Sequence, residues 1–173
     1  MAHVRRGKCP AFLRRSLQRV PQTAAHCRLQ RPGLPMKLRC NRDPDWFHRA
    51  QHETLPGRFG LQVLRIEQGL LHAQLRIEPW MRAPNGFLHA ASVICLADTG
   101  AGYACLAHLP EEAKGFTTVE MKSNFFGTAL EGMLHTRCSA DHLGRSTQVW
   151  SASVLREDGK RIAEFRCTQL ILI

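Results

Sequence analysis

The first 35 residues contain no aspartate or glutamate. Further along, no uninterrupted apolar run approaches 18 residues, which excludes a membrane-spanning helix. Near the N-terminus, Ala11-Phe12-Leu13 is cut off by Arg14-Arg15, so the continuous apolar segment of a secretory signal is missing. The cysteines stand at 9, 27, 40, 95, 105, 138 and 167, an odd set with no C-x-x-C pair, which excludes a zinc ribbon and a disulfide framework. Scattered thiols without an export signal suit a reducing cytoplasm. There is no phosphate-cradling glycine loop of the Walker or Rossmann kind. Ser92 lacks the G-x-S-x-G elbow of a serine hydrolase.

What is present fits one domain of ordinary size: 173 residues, 44% hydrophobic and 22% charged. The formal net charge of +10 would suggest nucleic acid or an anionic surface as partner. Its distribution argues otherwise. Arg5, Arg6, Lys8, Arg14, Arg15, Arg19, Arg28 and Arg31 all fall in residues 1–35, leaving 16 basic against 14 acidic residues, a net of +2, over 36–173. The chain thus divides into a cationic arm, 1–35, and a nearly neutral body, 36–173. Pro10, Pro21, Pro32 and Pro35 punctuate the arm. It reads as a disordered tail, as sequence upstream of a true start at Met36, or as an organelle transit peptide; a nucleic-acid arm would carry the same charges.

After Met36 the pattern becomes regular. Asp43-Pro44 reads as an N-cap and first helical residue, with Trp46, Phe47 and Ala50 on the apolar side and Pro56-Gly57 as the stop. Residues 59–67 and 70–78 read as a β-hairpin, in which Leu71, Ala73, Leu75 and Ile77 alternate with polar neighbours. A long apolar helix follows at about 89–108. Strands are then expected at 117–125, 131–141, 145–157 and 160–172, the last pair joined by a two-residue Asp158-Gly159 turn. The order helix, two strands, long helix, four strands predicts an α+β fold with an antiparallel sheet.

From Ala83 to Pro110 the 28 residues carry one formally charged side chain, Asp98. A helix apolar on nearly every side is a buried helix, and Gly100 and Gly102 each cost it roughly 1 kcal/mol of propensity against alanine. Asp98 stands too far inside to cap the helix, so its carboxylate must find donors or become more basic through desolvation. That makes it a candidate general base or nucleophile. His89 stands at the helix start, where free backbone N–H groups can polarise a carbonyl oxygen. Nine residues at 100° each put His89 and Asp98 on opposite faces, roughly 13 Å apart along the axis. If both serve one site, two chains build it.

The string Asn85-Gly-Phe-Leu-His89-Ala-Ala-Ser-Val-Ile-Cys-Leu-Ala-Asp98 resembles the signature of the hotdog-fold thioesterases. It is most similar to the PaaI-like branch, which includes 4-hydroxybenzoyl-CoA thioesterases. Glu120–Phe125, His142-Leu-Gly144-Arg145 and Asp158-Gly159-Lys160 extend the resemblance over roughly residues 45–173. It implies a sheet of about six strands wrapped around the long helix, and a homodimer or homotetramer with acyl-CoA bound between subunits. It further implies that Asp98 acts as nucleophile or general base on the thioester, that the Ala90 N–H of the other subunit polarises the carbonyl, and that His89 orients the site. Coenzyme A would enter as part of the substrate, with no other cofactor. Two departures stand out. Ala90-Ala91 replaces the family's Gly-Gly, and Ala83 stands where an Asn or Gln is common, with Asn85 two positions late.

Gly86, Lys122 and Arg145, together with Arg156, are the candidates for holding the rest of the substrate, and Phe87, Phe116, Phe125, Phe126 and Trp150 for an aryl pocket. His48 and His52, with Glu53 adjacent, have metal-ligand spacing, but no third ligand accompanies them. Cys95 and Cys105 read as core thiols. The expected activity is hydrolysis of an aryl- or medium-chain acyl-CoA. The alternatives are a non-catalytic acyl-CoA-binding or scaffold protein and, through the arm, nucleic-acid binding.

Overall fold

Asp43 caps the first helix, α1 (Pro44–Ala50): its carboxylate accepts the Trp46 N–H at 2.9 Å, and Pro44 occupies the first turn, where no amide is needed. The computed structural model describes residues 43–173, and the expectations for residues 1–35 fall outside them. The Pro56-Gly57 stop is corrected. α1 ends at Ala50, and Pro56 and Gly57 lie inside a second short helix, α2 (Leu55–Arg58). Proline is tolerated there because it too stands in a first turn. Gly57 is required by packing, since a Cβ would collide with the Gln51 carbonyl oxygen.

The first strand consequently starts three residues later than expected. β1 (Gln62–Glu67) and β2 (Leu70–Arg76) form the anticipated hairpin, with Gly69 in the turn at φ 68°. A 3₁₀ turn (Pro79–Met81) leads to the long helix, α3 (Ala90–Ala107). Then come β3 (Gly115–Phe125), β4 (Met133–Leu143), β5 (Thr147–Arg156) and β6 (Arg161–Leu172). The turn between the last two is longer than the two-residue hairpin expected from Asp158-Gly159. Arg156 N–H bonds to the Lys160 carbonyl and Gly159 N–H to the Arg156 carbonyl, so three residues separate the closing pair and Gly159 takes φ 83°.

All pairings are antiparallel, and the strand order is β1-β2-β4-β5-β6-β3. The six strands and α3 realise the expected α+β architecture. α3 packs across β2, β4, β5 and β6, burying Leu96, Ala97, Ala101, Ala104 and Cys105. Close approach depends on Gly100: a Cβ there would lie 2.8 Å from Cys138 Sγ and 3.1 Å from Thr136 Cγ2 on β4. That contact offsets the propensity cost of a helical glycine. The exclusion of a membrane-spanning helix is corrected: by length and mean hydropathy α3 could cross a bilayer, although most of it is buried within the fold.

The core is apolar and encloses a few polar side chains, some of them linked in a hydrogen-bonded chain. Trp150 Nε1 donates to Gln148 Oε1 at 3.0 Å, and Gln148 Nε2 donates to the His108 carbonyl at 2.8 Å.

Candidate active site

Asp98 stands in the third turn of α3, on the side turned away from the strands that bury Ala97 and Ala101. One and two turns further along lie Gly102 and Leu106, with Thr99 and Tyr103 beside them. Together with Pro56 of α2 and Phe116 and Thr118 of β3, these residues line a cleft of about 240 Å³. Gly102 keeps that space open, because a Cβ would meet the Phe116 ring at 3.4 Å. The two helical glycines thus divide their work: Gly100 serves packing and Gly102 serves the cleft.

Asp98 Oδ1 is buried and has no hydrogen-bond partner. Burial removes the water that would stabilise the charge, and it pushes the carboxyl pKa above the ordinary carboxylate range. The hydroxyls around it are turned toward protein. Tyr103 Oη donates to Gln51 Oε1 at 3.0 Å, and Thr118 Oγ1 donates to Gln169 Oε1 at 2.9 Å. Thr99 bonds to the Cys95 thiol. The cleft therefore offers one desolvated base and no free donor side chain.

His89 is the N-cap of α3. Its Nδ1 accepts the Ala91 N–H at 3.0 Å, so the proton of the neutral ring sits on Nε2. Among the described residues, the exposed Ala90 N–H makes no hydrogen bond and remains an open donor at the positive end of the helix. Neither His89 nor Ala90 lines the cleft of its own chain. Asn85 is engaged locally, its Oδ1 accepting the Phe87 N–H at 3.2 Å. Gly86 takes φ 86° in the same turn, which Ala83 N–H closes by bonding to the Phe87 carbonyl at 2.7 Å.

The basic candidates lie elsewhere. Lys122 faces away from α3, opposite Arg166, because its neighbour Met121 is the residue paired with buried Cys167. Arg145 is ion-paired with Glu112 at 2.9 Å, and Arg156 with Asp158. Of the five candidate aromatics only Phe116 lines the cleft. Trp150 is core, Phe87 and Phe125 are exposed, and exposed Phe126 lies under the Arg161 guanidinium. His48 Nε2 accepts the Val63 N–H at 3.0 Å, and no group of three or more metal-ligating side chains occurs among the described residues. Burial pushes the thiols of Cys95 and Cys105 up to about 11 and about 12, as fits core cysteines.

Pro56, Tyr103, Leu106 and Thr118 were not among the sequence candidates. Tyr103 and Leu106 had a legible signal in their helical spacing from Asp98, whereas Pro56 and Thr118 arrive only through tertiary folding.

Residues 85–163 match the thioesterase superfamily. A 1,4-dihydroxy-2-naphthoyl-CoA hydrolase of Listeria monocytogenes is 27% identical over 109 residues, covering 63% of this chain and 88% of that protein. A proofreading thioesterase, EntH, of Klebsiella pneumoniae is 27% identical over 123 residues, covering 71% of this chain and 89% of its own. Among solved structures, a mutant thioesterase of Pseudomonas aeruginosa superposes with a TM-score of 0.74 at 22% identity, over 78% of this chain and 97% of that one. By sequence this chain is similar to the thioesterase superfamily over residues 85–163, and its six antiparallel strands around a long helix form the hotdog fold of the solved thioesterases.

Proposed function

We propose that the chain hydrolyses an acyl-CoA thioester, with an aryl or medium-chain acyl group, to the free acid and coenzyme A. Coenzyme A enters as part of the substrate. The observation that carries this is the Asp98 carboxylate, desolvated and with Oδ1 free of hydrogen bonds, in a cleft whose other polar side chains are engaged elsewhere. As a carboxylate it takes a proton from a water attacking the thioester carbon, or it attacks that carbon itself. In either route the C–S bond breaks and the sulfur leaves as the coenzyme A thiolate, which takes up a proton; in the second route water then cleaves the acyl–Asp98 anhydride to the free acid and restores the carboxylate.

The carbonyl oxygen becomes negative as the attack proceeds and needs donors. The cleft has no free donor side chain of its own, while the Ala90 N–H stands open at the positive end of α3. Because residues 89 and 98 lie on opposite faces, a second copy of the chain would bring its His89 and Ala90 to Asp98, in a homodimer or homotetramer. β3 suits such an assembly. It is an edge strand, and it leaves Val119, Met121 and Phe125 exposed. Among the described residues, Cys95, Cys105, Cys138 and Cys167 are free and buried, which suits a cytoplasmic location.

The test is a panel of acyl-CoA esters assayed for released thiol, with Asp98→Asn alongside. Release from at least one ester, reduced about a thousandfold or more in the variant, is expected; unchanged turnover in Asp98→Asn removes Asp98 from the reaction. Ala83, the methyl groups of Ala90-Ala91 and the local engagement of Asn85 favour a second reading, a non-catalytic acyl-CoA-binding module. Tight binding of the esters without thiol release would establish it.

A further inference from the structure

Tyr103 is the only tyrosine in the chain, and it lines the cleft five residues beyond Asp98. Its ring packs on Phe47 of α1 with centroids 4.7 Å apart, while its hydroxyl donates to Gln51 Oε1 at 3.0 Å. Gln51 is 5% exposed, and its Nε2 donates to the Leu61 carbonyl at 2.5 Å. That second bond fixes the amide. Turned over, it would face the Leu61 carbonyl with Oε1, two acceptors with no proton between them. Tyr103 is therefore held as a donor to protein, and it presents ring carbons to the cleft. Thr118 and Thr99 are engaged in the same way with Gln169 and Cys95. Apart from the Asp98 carboxylate, what remains of the lining is Pro56, Gly102, Leu106 and Phe116.

We propose that this cleft selects acyl groups carrying no hydrogen-bonding substituent beyond the thioester, and that Gln51 is the positioning residue that imposes the selectivity by holding the Tyr103 hydroxyl out of the pocket. The inference deepens the proposed thioester hydrolysis at Asp98 and rests on it. A ring hydroxyl entering the cleft gives up water and meets carbon. Apolar pockets discriminate against an added hydroxyl by about tenfold to a hundredfold.

The experiment measures calorimetric binding of two non-hydrolysable thioethers, phenacyl-CoA and 4-hydroxyphenacyl-CoA, to the full chain. Turnover of benzoyl-CoA and 4-hydroxybenzoyl-CoA is measured in parallel. The unsubstituted analogue is expected to bind at least tenfold more tightly, with kcat/KM in the same order. Gln51→Leu releases the Tyr103 hydroxyl and narrows that ratio at least threefold. In Gln51→Leu/Tyr103→Phe the ratio recovers to the wild-type value or more, a recovery that general loosening of the fold does not produce. Equal or tighter binding of the hydroxylated analogue by the wild type overturns the proposal, as does an unchanged ratio in a folded Gln51→Leu. Should Gln51→Leu fail to fold, Tyr103→Phe decides, because its ratio must stay at tenfold or above and a collapse overturns the proposal. Selective binding without turnover of either ester removes hydrolysis and upholds the selectivity; binding of neither analogue removes both.

Discussion

His108 Nε2 accepts the Gly69 N–H at 2.8 Å, tying the C-cap of the central helix to the turn between β1 and β2. The donor identity fixes the tautomer: the ring proton is on Nδ1, which donates to the Ala104 carbonyl at 2.7 Å. The ring is 1% exposed and packs on Trp150 with centroids 5.1 Å apart. His108→Ala removes both hydrogen bonds and opens a cavity beside Trp150. It is expected to destabilise the fold by about 3 kcal/mol, read as a lowered urea midpoint at unchanged m. A loss below about 1 kcal/mol would contradict the central position given to this residue.

Acid is expected to weaken the fold well before the carboxylates titrate. Burial lowers His72 to about 4, with the Arg137 and Arg65 guanidiniums adding to the effect, and burial also lowers His108 and His135. Unfolded histidines titrate near 6.5. Between about pH 4 and 6.5 the unfolded chain thus binds more protons than the folded one, so stability is full above that window and falls as the pH drops through it. Denaturation midpoints at pH 7.5 and 5.0 read the slope, and His72→Gln is expected to flatten it. Equal midpoints at the two pH values would exclude neutral buried histidines.

The two helical glycines are expected to respond to alanine in opposite ways. At Gly100 the new methyl strikes Cys138 Sγ and Thr136, and overpacking of that kind costs about 1–3 kcal/mol. At Gly102 it touches only the Phe116 ring, so the gain in helix propensity, up to about 1 kcal/mol, is retained. The Gly102 methyl also enters the cleft, and kcat/KM falls although the protein is more stable. Thermal melts beside thiol-release assays separate the two effects.

The proposed two-chain site is open to a test by complementation. Ala90→Pro deletes the one backbone donor in question while keeping the helix, because proline is favoured at the first helical position and His89 already holds ψ 136°. Loss of an oxyanion donor lowers kcat by about a hundredfold to a thousandfold. Mixed with Asp98→Asn, the variant forms dimers with one intact site, and activity is expected to rise to about a quarter of wild type. Two inactive proteins that stay inactive after unfolding and refolding together would place the donor elsewhere.

Much of the fold was legible because its signals are local. The alternation of Leu71, Ala73 and Leu75 and the apolar stretch around Asp98 each state their period within a few residues. Pro56-Gly57 misled because proline in a first turn and proline after a helix look alike until the start of the next helix is known. Asp158-Gly159 misled because a left-handed glycine serves turns of two lengths. At the site, Asp98 was visible as a charge out of place. The role of Gln51 was not, since it follows from a tyrosine and a carbonyl in two other segments. The basic candidate Arg145 had no sequence signal that a carboxylate, Glu112, already holds it.

The strand order carries a kinetic consequence. The chain leaves β2 near one edge of the sheet, passes along the central helix and enters β3 at the opposite edge, where its pairing partner is β6, the last strand to be reached. Asp98 and Thr118 therefore face each other across a cleft only after β3 has paired with the last strand of the chain, a long-range step that adds to the contact order. A chain emerging from the ribosome has completed the segment that carries Asp98 before β6, the partner of β3, has been made. Folding of the helix and first hairpin should be fast and the appearance of the cleft slow, so that the capacity to bind a thioester marks the end of folding.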